Sequence, residues 1–262
     1  KLFDSENEIY SYSFPIALSK DNKGKLRSGR MIYEFLEMAE KDLVAEAYSY
    51  KKLAKVDITN FYNSVYTHTI SWAWCGDRIQ GLSDSGAYRY CGTRLDKLFQ
   101  YSNDKRTIGL PVGPVLSDII VELILTERDK VISKRLKGAG IDFLATRFKD
   151  DYRILTQTDS DCEFIIKTII DVLHDFNLQV NESKTKIVSL PEGLYRVHAI
   201  KYEPYSIRDN YAVVPFKVFE HTLLKSIEIH REHLGTSLLE KFLSELIDND
   251  KSLAVHKRLK VA

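Results

Sequence analysis

Apolar residues along the chain fall into short runs and helical stripes separated by clear breaks. Met31 to about Ala47 carries Ile32, Phe35, Leu36, Ala39 and Leu43 at helical spacing, which predicts an amphipathic helix. Leu53 to Ile58 reads as a buried strand ending at Asp57. Glycine and serine thicken between Gly76 and Gly92 and suggest a surface loop, with a short helix over Thr93 to Phe99. Gly109-Leu110-Pro111-Val112-Gly113-Pro114 is too rich in breakers for helix interior. Ser117 is a candidate N-cap for a long helix with the stripe Ile120, Leu123, Ile124, Val131 and Ile132.

Next come two apolar runs, Phe143-Leu144-Ala145 and Ile154-Leu155, around Phe148-Lys149-Asp150-Asp151-Tyr152-Arg153. Apolar, polar, apolar with Asp-Asp at the centre predicts a β-hairpin with an acidic tip, and Asp tolerates turn geometry. Ser160-Asp161-Cys162-Glu163 reads as a capping box for a helix that buries Ile165, Ile166, Ile169, Leu173 and Phe176. Thr185 to Leu190 reads as a strand. From about Pro215 to Lys260 the pattern turns to charged, Leu-rich helix, with Val218, Leu223, Leu224 and Ile227 on one helix. Leu238, Leu239, Phe242 and Leu246 mark another, and a boundary is expected within 205–215. The opening to about Pro15 shows no clear periodicity, and Asp21-Asn22-Lys23-Gly24 reads as a turn before the basic cluster Lys25, Arg27 and Arg30.

This order, strand, helix, hairpin, helix, strand, implies an α+β fold with helices packed on one face of an antiparallel sheet. In a β-α-β-β-α-β arrangement the first strand lies beside the central hairpin, which would bring Asp57 near Asp150. Carboxylates side by side cost electrostatic energy unless a cation neutralises them, and Mg²⁺ is the natural hard ion for such oxygens. Three converging carboxylates suit two Mg²⁺ ions about 3.5–4 Å apart, as used for in-line phosphoryl displacement.

Composition narrows the partners. The 262 residues are 44% hydrophobic, enough for one large domain or two modest ones. The net charge is +1, so contact with nucleic acid must come from local patches. Cys75, Cys91 and Cys162 form no C-x-x-C pair, which argues against a zinc site or a disulfide framework and suits a reducing cytoplasm. No apolar run approaches the ~20 residues that cross a bilayer. The chain begins at Lys1 without a signal-peptide pattern, so it reads as a fragment or as a chain lacking disordered ends.

Asp57-Ile58-Thr59-Asn60-Phe61-Tyr62, Gly109-Leu110-Pro111-Val112-Gly113-Pro114 with Ser117, Phe148-Lys149-Asp150-Asp151, and Leu178 to Lys184-Thr185 follow one another in the order of reverse transcriptase motifs A, B, C and D. The chain resembles that superfamily over roughly residues 25–190. The run from Asp57 to His68 and the Gly-Leu-Pro-x-Gly-Pro loop are most similar to bacterial abortive-infection and related defence-associated reverse transcriptases. The resemblance implies a right-hand palm and fingers over 1–210 and the start of a C-terminal helical domain over 211–262. It implies Asp57, Asp150 and Asp151 as catalytic metal ligands, Asp151 the weaker or outer one, with Ile58 beside them as a metal and substrate contact. Two Mg²⁺ ions are expected, with Mn²⁺ as a substitute.

Further roles follow from the same resemblance. Tyr62 would sit under the sugar and exclude a 2′-hydroxyl, while Phe61 is the better core candidate. Gly113 would let the loop backbone approach the nucleotide. Lys184 would serve as general acid near the pyrophosphate. Lys25, Arg27 and Arg30 would clamp the triphosphate, guanidinium forks suiting phosphate oxygens. Two positions depart from the family pattern: Val112 replaces a common Gln, which weighs against ordinary templated copying, and Phe148 replaces a common Tyr. The expected partners are dNTPs, a DNA product, an RNA template in the templated case, a protein hydroxyl as primer in the self-primed case, and further copies of the chain, with no membrane. Template-independent synthesis in cytoplasmic anti-phage defence is the first reading. A templated retron or mobile-intron type of enzyme, and a non-catalytic palm-like nucleic-acid-binding module, are its rivals.

Overall fold

A computed structural model describes residues 8–13, 43–83, 90–194, 196–207, 213–247 and 252–254. The chain divides into two compact units, Lys1–Leu194 and Tyr195–Ala262. The division falls ahead of the 205–215 expected from composition.

The first unit is built on a five-stranded sheet. Its strands are β1 (Ile9–Ser11), β2 (Lys52–Asp57), β3 (Leu144–Phe148), β4 (Asp151–Thr156) and β5 (Lys186–Ser189), in the spatial order β1-β3-β4-β2-β5. All neighbours are antiparallel except β1, which runs parallel to β3. Without β1 this is the expected β-α-β-β-α-β order, with β2 beside the central hairpin. The strand β1 was not foreseen, because three residues are too few to show alternation.

Strand alternation divides the sheet. Val56, Ile58, Tyr152 and Ile154 point to one face and are buried. There they meet the helices Val115–Gly138 and Asp159–His174 in the main core. On the other face Leu53 and Leu155 pack with Leu43, Ala47 and Leu194 in a smaller cluster. Beyond that cluster the same face carries Lys55, Asp57, Asp151 and Arg153.

Among the described residues these strands are joined by the helices α1 (Phe61–Ser64), α2 (Thr69–Cys75), α3 (Arg78–Ser83), α4 (Cys91–Ser102), α5 (Val115–Gly138) and α6 (Asp159–His174), besides a helical turn at 43–46. The expected loop over Gly76–Gly92 is in part helical. Asp77 Oδ1 accepts from Ile79 N and Gln80 N at 2.6 and 3.0 Å and so starts α3. Two of its glycines serve close packing: a Cβ on Gly81 would meet Trp72 Cδ1 at 2.8 Å, and one on Gly92 would meet Trp74 Cβ at 2.7 Å. Residues 84–89 lie outside the description, as does most of the Met31–Ala47 helix, of which 43–46 are helical and Ala47–Ser49 form a 3-10 turn.

Two caps differ from expectation. Pro114 is the N-cap of α5, so Ser117 is helix interior, fully buried, with its Oγ unpartnered among the described residues. Thr158 caps α6, accepting from Asp161 N at 3.1 Å, two positions before the Ser160 expected. The buried face of α6 holds the expected Ile165, Ile169 and Leu173 and adds Cys162, Thr168 and Val172, while Ile166 is only partly buried and the buried Phe176 lies past the helix end.

The helix α5 is buried on more sides than its stripe suggests, Glu122 and Asp129 included. Both carboxylates engage Arg147 of β3, itself wholly buried. Arg147 Nε donates to Asp129 Oδ2 at 2.9 Å and Nη2 to Glu122 Oε1 at 2.8 Å. Tyr152 OH donates to Asp129 Oδ1 at 2.8 Å, and Ser13 Oγ to Glu122 Oε2 at 2.7 Å. Burial opposes the Arg147 charge, but Asp129 and Glu122 outweigh it and raise its pKa. Burial also pushes Asp129 up to about 6, against the pull of Arg147. On Glu122 burial is overcome by Arg147, and its pKa falls.

In the second unit α7 (Val197–Tyr202), α8 (Phe216–Glu232) and α9 (Leu238–Ile247) surround a core of Tyr202, Ile207, Val214, Ile229, Leu238 and Phe242. Two short parallel strands, β6 (Val213–Pro215) and β7 (Ser252–Ala254), flank α8 and α9, and β7 falls within the stretch to Lys260 that the sequence suggests is helical. The α8 stripe is also shifted. Leu224 is exposed, and Thr222, Ser226 and Ile229 are buried instead, Ser226 Oγ satisfying itself on Thr222 O at 2.7 Å.

Replacing Arg147 by Met leaves Asp129 and Glu122 buried without a counter-charge, which should cost about 3–5 kcal/mol. Urea unfolding followed by circular dichroism measures the loss. Arg147→Lys should recover little of it, because an ammonium cannot fork to two carboxylates. A shift in midpoint no larger than that of a surface substitution would contradict this account of the ion group.

Candidate active site

The site forms where β2 ends and the hairpin turns. Antiparallel pairing puts Asp57 directly opposite Asp151. The next rung continues the contact, with Ile58 N donating to Asp150 O at 3.1 Å. Phe148 and Asp151 close the hairpin, so Lys149 and Asp150 are its two turn residues. The acidic pair is therefore split between turn and strand. The turn residue in left-handed conformation is Lys149, at φ 53°, not an aspartate. Arg147 Nη1 donates to the Lys149 carbonyl at 3.0 Å, which ties the strained turn to the buried ion group.

A second segment arrives from beyond α6. Ile58 bridges Val180, with Thr59 N bonded to Gln179 O at 2.8 Å and Asn181 N to Asp57 O at 2.7 Å. In this type of bridge the flanking residues carry the bonds. The Ile58 carbonyl stands outside that ladder and is the atom through which Ile58 could contact a cation. Asn181 then shapes the turn, its Oδ1 accepting from Ser183 N at 3.1 Å and Ser183 Oγ at 2.7 Å. That turn delivers Lys184, whose Nζ lies 3.1 Å from both Asp57 carboxylate oxygens.

The three carboxylates have different surroundings. Burial raises the Asp150 pKa, and the Asp57 charge adds to it, against Lys184 and Lys149. Burial raises Asp151 too, opposed chiefly by Arg153, whose Nε lies 3.4 Å from Asp151 Oδ2. Asp57 and Asp150 thus share the field of Lys184, while Asp151 has a cation of its own. Among the described residues no three potential ligands are gathered as a ready metal cage. Convergence on one point was the expectation. Like charges repel, and Lys184 and Arg153 hold Asp57 and Asp151 individually. The donor set still fits a hard divalent ion: hard carboxylate oxygens on one strand end, two of them with pKa values raised by burial and mutual charge.

Tyr62, in α1, is half-buried beside the acids, and its hydroxyl donates to Asp118 Oδ1 in the first turn of α5. Phe61 next to it is buried core, as expected. The Gly109–Pro114 loop is anchored to α1 by Gly109 N on Val65 O at 2.9 Å and Leu110 N on Tyr62 O at 2.8 Å. Gly113 has φ +110° and open space where a Cβ would stand, and Val112 beside it is 72% exposed. The loop therefore presents bare backbone and an apolar side chain outward. Beside it lies an open cavity of about 820 Å³ lined by Asn63, Lys105, Arg106 and the loop backbone.

Lys25, Arg27 and Arg30 lie outside the described residues. Sequence reading missed several groups that the fold brings to the site. Lys55, Arg153 and Lys186 are cross-strand partners on the face of Asp57 and Asp151. Their signal was alternation along β2 and β4, legible only once the register is known. Asp118, Glu122 and Arg147 carried no local signal, because each acts through a distant segment.

The family model of the reverse transcriptase (RNA-dependent DNA polymerase) matches residues 15–207. No curated protein matches the chain. Among solved structures, apo telomerase from Candida tropicalis is 13% identical, with a TM-score of 0.44, over 86% of this chain and 46% of that one. Telomerase from Candida albicans, in complex with a TWJ fragment of telomeric RNA, is 12% identical, with a TM-score of 0.41, over 88% of this chain and 45% of that one. The chain spans less than half the length of either telomerase. With the family model covering most of its length, the chain belongs to the reverse transcriptase family.

Proposed function

We propose that the chain is a Mg²⁺-dependent nucleotidyltransferase that adds deoxynucleotides to a 3′-hydroxyl or a protein hydroxyl. The observation that carries this reading is the β2–β4 register. It sets Asp57 opposite Asp151, with the Asp150 backbone on the next rung and Lys184 on the Asp57 carboxylate. Asp57 and Asp150 would hold the cations, with the Ile58 carbonyl and Asp151 in support. Bound Mg²⁺ supplies a more acidic attacking hydroxyl and charge stabilisation for the leaving pyrophosphate; Mn²⁺ has the same ligand chemistry.

The protein groups have separate tasks. Lys184 is 62% exposed and rides on an Asn-built turn, so it can leave Asp57 and hold a proton for the pyrophosphate oxygen. Tyr62 crowds the sugar and rejects a 2′-hydroxyl. Gly113 lets a base pair approach the loop, and the exposed apolar Val112 offers it no polar contact, which supports template-independent synthesis. The basic row Lys55, Arg153 and Lys186 suits a nucleic-acid backbone. Lys25, Arg27 and Arg30 belong to this proposal as the triphosphate clamp.

The Asp57–His68 run and the Gly-Leu-Pro-Val-Gly-Pro loop support placement in the bacterial abortive-infection group. That placement carries a cytoplasmic anti-phage role and assembly of several copies. It also makes 1–210 fingers and palm, and 211–262 the start of a helical domain. Incubating the protein with Mg²⁺ and each labelled dNTP, with and without RNA, tests the reading. Label that stays with the protein after denaturation reports a protein primer, and strict dependence on RNA would favour templated synthesis.

Asp150→Ala should abolish incorporation, and full activity would overturn the metal assignment. Tyr62→Ala should admit ribonucleotides, read as the ratio of kcat/KM for dNTP and rNTP. A third expectation concerns stability. The Asp150 pKa is raised above its ordinary 3.8, so its charge weighs more on the folded than on the unfolded chain. That penalty is present at neutral pH and vanishes as pH falls toward 3.8. Asp150→Asn should therefore unfold at higher urea concentration than wild type at pH 7, with the gap closing on acidification. Mg²⁺ should raise the midpoint of wild type and leave the variant unmoved.

A further inference from the structure

Tyr62 is held at its backbone and at its ring hydroxyl by one segment. Its backbone carbonyl accepts from Leu110 N at 2.8 Å, at the start of the glycine-rich loop. Its hydroxyl donates to Asp118 Oδ1, at the end of that loop, in the first turn of α5. A carboxylate is favoured there by the unpaired N–H groups of the helix start. The hairpin closes the third side: Lys149 Nζ lies 3.5 Å from Asp118 Oδ1 and 5.6 Å from the Tyr62 ring centre. Phe61 meets the ring edge-on, with centroids 5.6 Å apart. Burial, and then the bond to Asp118, push the Tyr62 hydroxyl well above its ordinary pKa, so it stays a donor at any working pH.

A ring excludes a sugar hydroxyl by crowding only if it cannot swing aside. Tyrosine has two soft torsions, and a bond at the far end of the ring restrains both. A bond to a charged acceptor is among the stronger ones available. We propose that Asp118 is a positioning residue for sugar selectivity: it fixes the Tyr62 ring through the phenolic hydroxyl, and Lys149 holds the Asp118 carboxylate in place from the hairpin. The inference rests on the proposed reading of Tyr62 as the sugar gate. Asp118 touches no reacting atom and acts only through Tyr62.

The test is the ratio of kcat/KM for dNTP over rNTP in wild type, Asp118→Ala, Asp118→Asn, Tyr62→Phe, Tyr62→Ala and the double variant Asp118→Ala/Tyr62→Phe. Asp118→Ala should lower the ratio about tenfold, the scale of one charge-assisted hydrogen bond. Tyr62→Phe, which keeps the ring and loses the hydroxyl, should lower it equally. Asp118→Asn retains an acceptor oxygen and should restore most of the selectivity. The double variant should be no worse than either single one, because both remove the same bond. Additive losses in the double variant, or an unchanged ratio in Asp118→Ala beside a collapsed ratio in Tyr62→Ala, would overturn the role of Asp118 and leave the gate standing. An unchanged ratio in Tyr62→Ala would remove the gate itself and the inference with it.

Discussion

The arrangement depends on a two-residue turn kept in an unfavourable conformation by a buried cation. Lys149 has φ 53° at a hairpin position where glycine would be free of strain. Arg147 offsets that strain by bonding the Lys149 carbonyl from below, while its other nitrogens hold Asp129 and Glu122. If the turn relaxed by one residue, the β3–β4 register would slip, and Asp151 would change faces. The register that opposes Asp57 to Asp151 is thus maintained from the core side of the sheet.

That support explains why so polar a group lies inside a hydrophobic core. A buried ion pair seldom adds much net stability, since desolvation consumes most of the Coulomb gain. Its directional bonds do specify one geometry, which apolar packing alone does less strictly. Here the bonds link the segment after β1 through Ser13, α5 through Glu122 and Asp129, and the hairpin through Arg147 and Tyr152. The electrostatic tension on the opposite face, where carboxylate pKa values are raised, is tolerable because this network leaves the hairpin little room to move.

The same turn links the Tyr62 side and the carboxylate side of the site. Lys149 and Asp150 are neighbours in one turn; one reaches Asp118 and the other shares the field of Lys184 with Asp57. A displacement of the hairpin tip would be felt at both. The glycine-rich loop joins the same assembly, bonded to α1 at Leu110 and running into the first turn of α5 at Asp118.

Local chemistry determined a good part of this protein. Alternating and clustered apolar residues marked β2, the hairpin and α6. Breakers marked the Gly109–Pro114 loop, and four motifs in order named the acids, Tyr62 and Lys184. These are short-range signals, carried by residues a turn or a strand apart. Where local signals competed, the reading slipped: Ser117 looked like a cap but is interior, and Gly81 and Gly92 looked like loop but allow helices to close on tryptophans. Only the tertiary structure decided that Arg147 meets Glu122 and Asp129, that Asp118 holds Tyr62, and that Lys184 lies on Asp57. Those partners are separated by between 18 and 127 positions, and a charge or hydroxyl carries no mark of a partner that far along the chain. Chain folding supplies that information by bringing distant segments together: it buries Arg147 with its two carboxylates and sets the exposed Lys184 against Asp57.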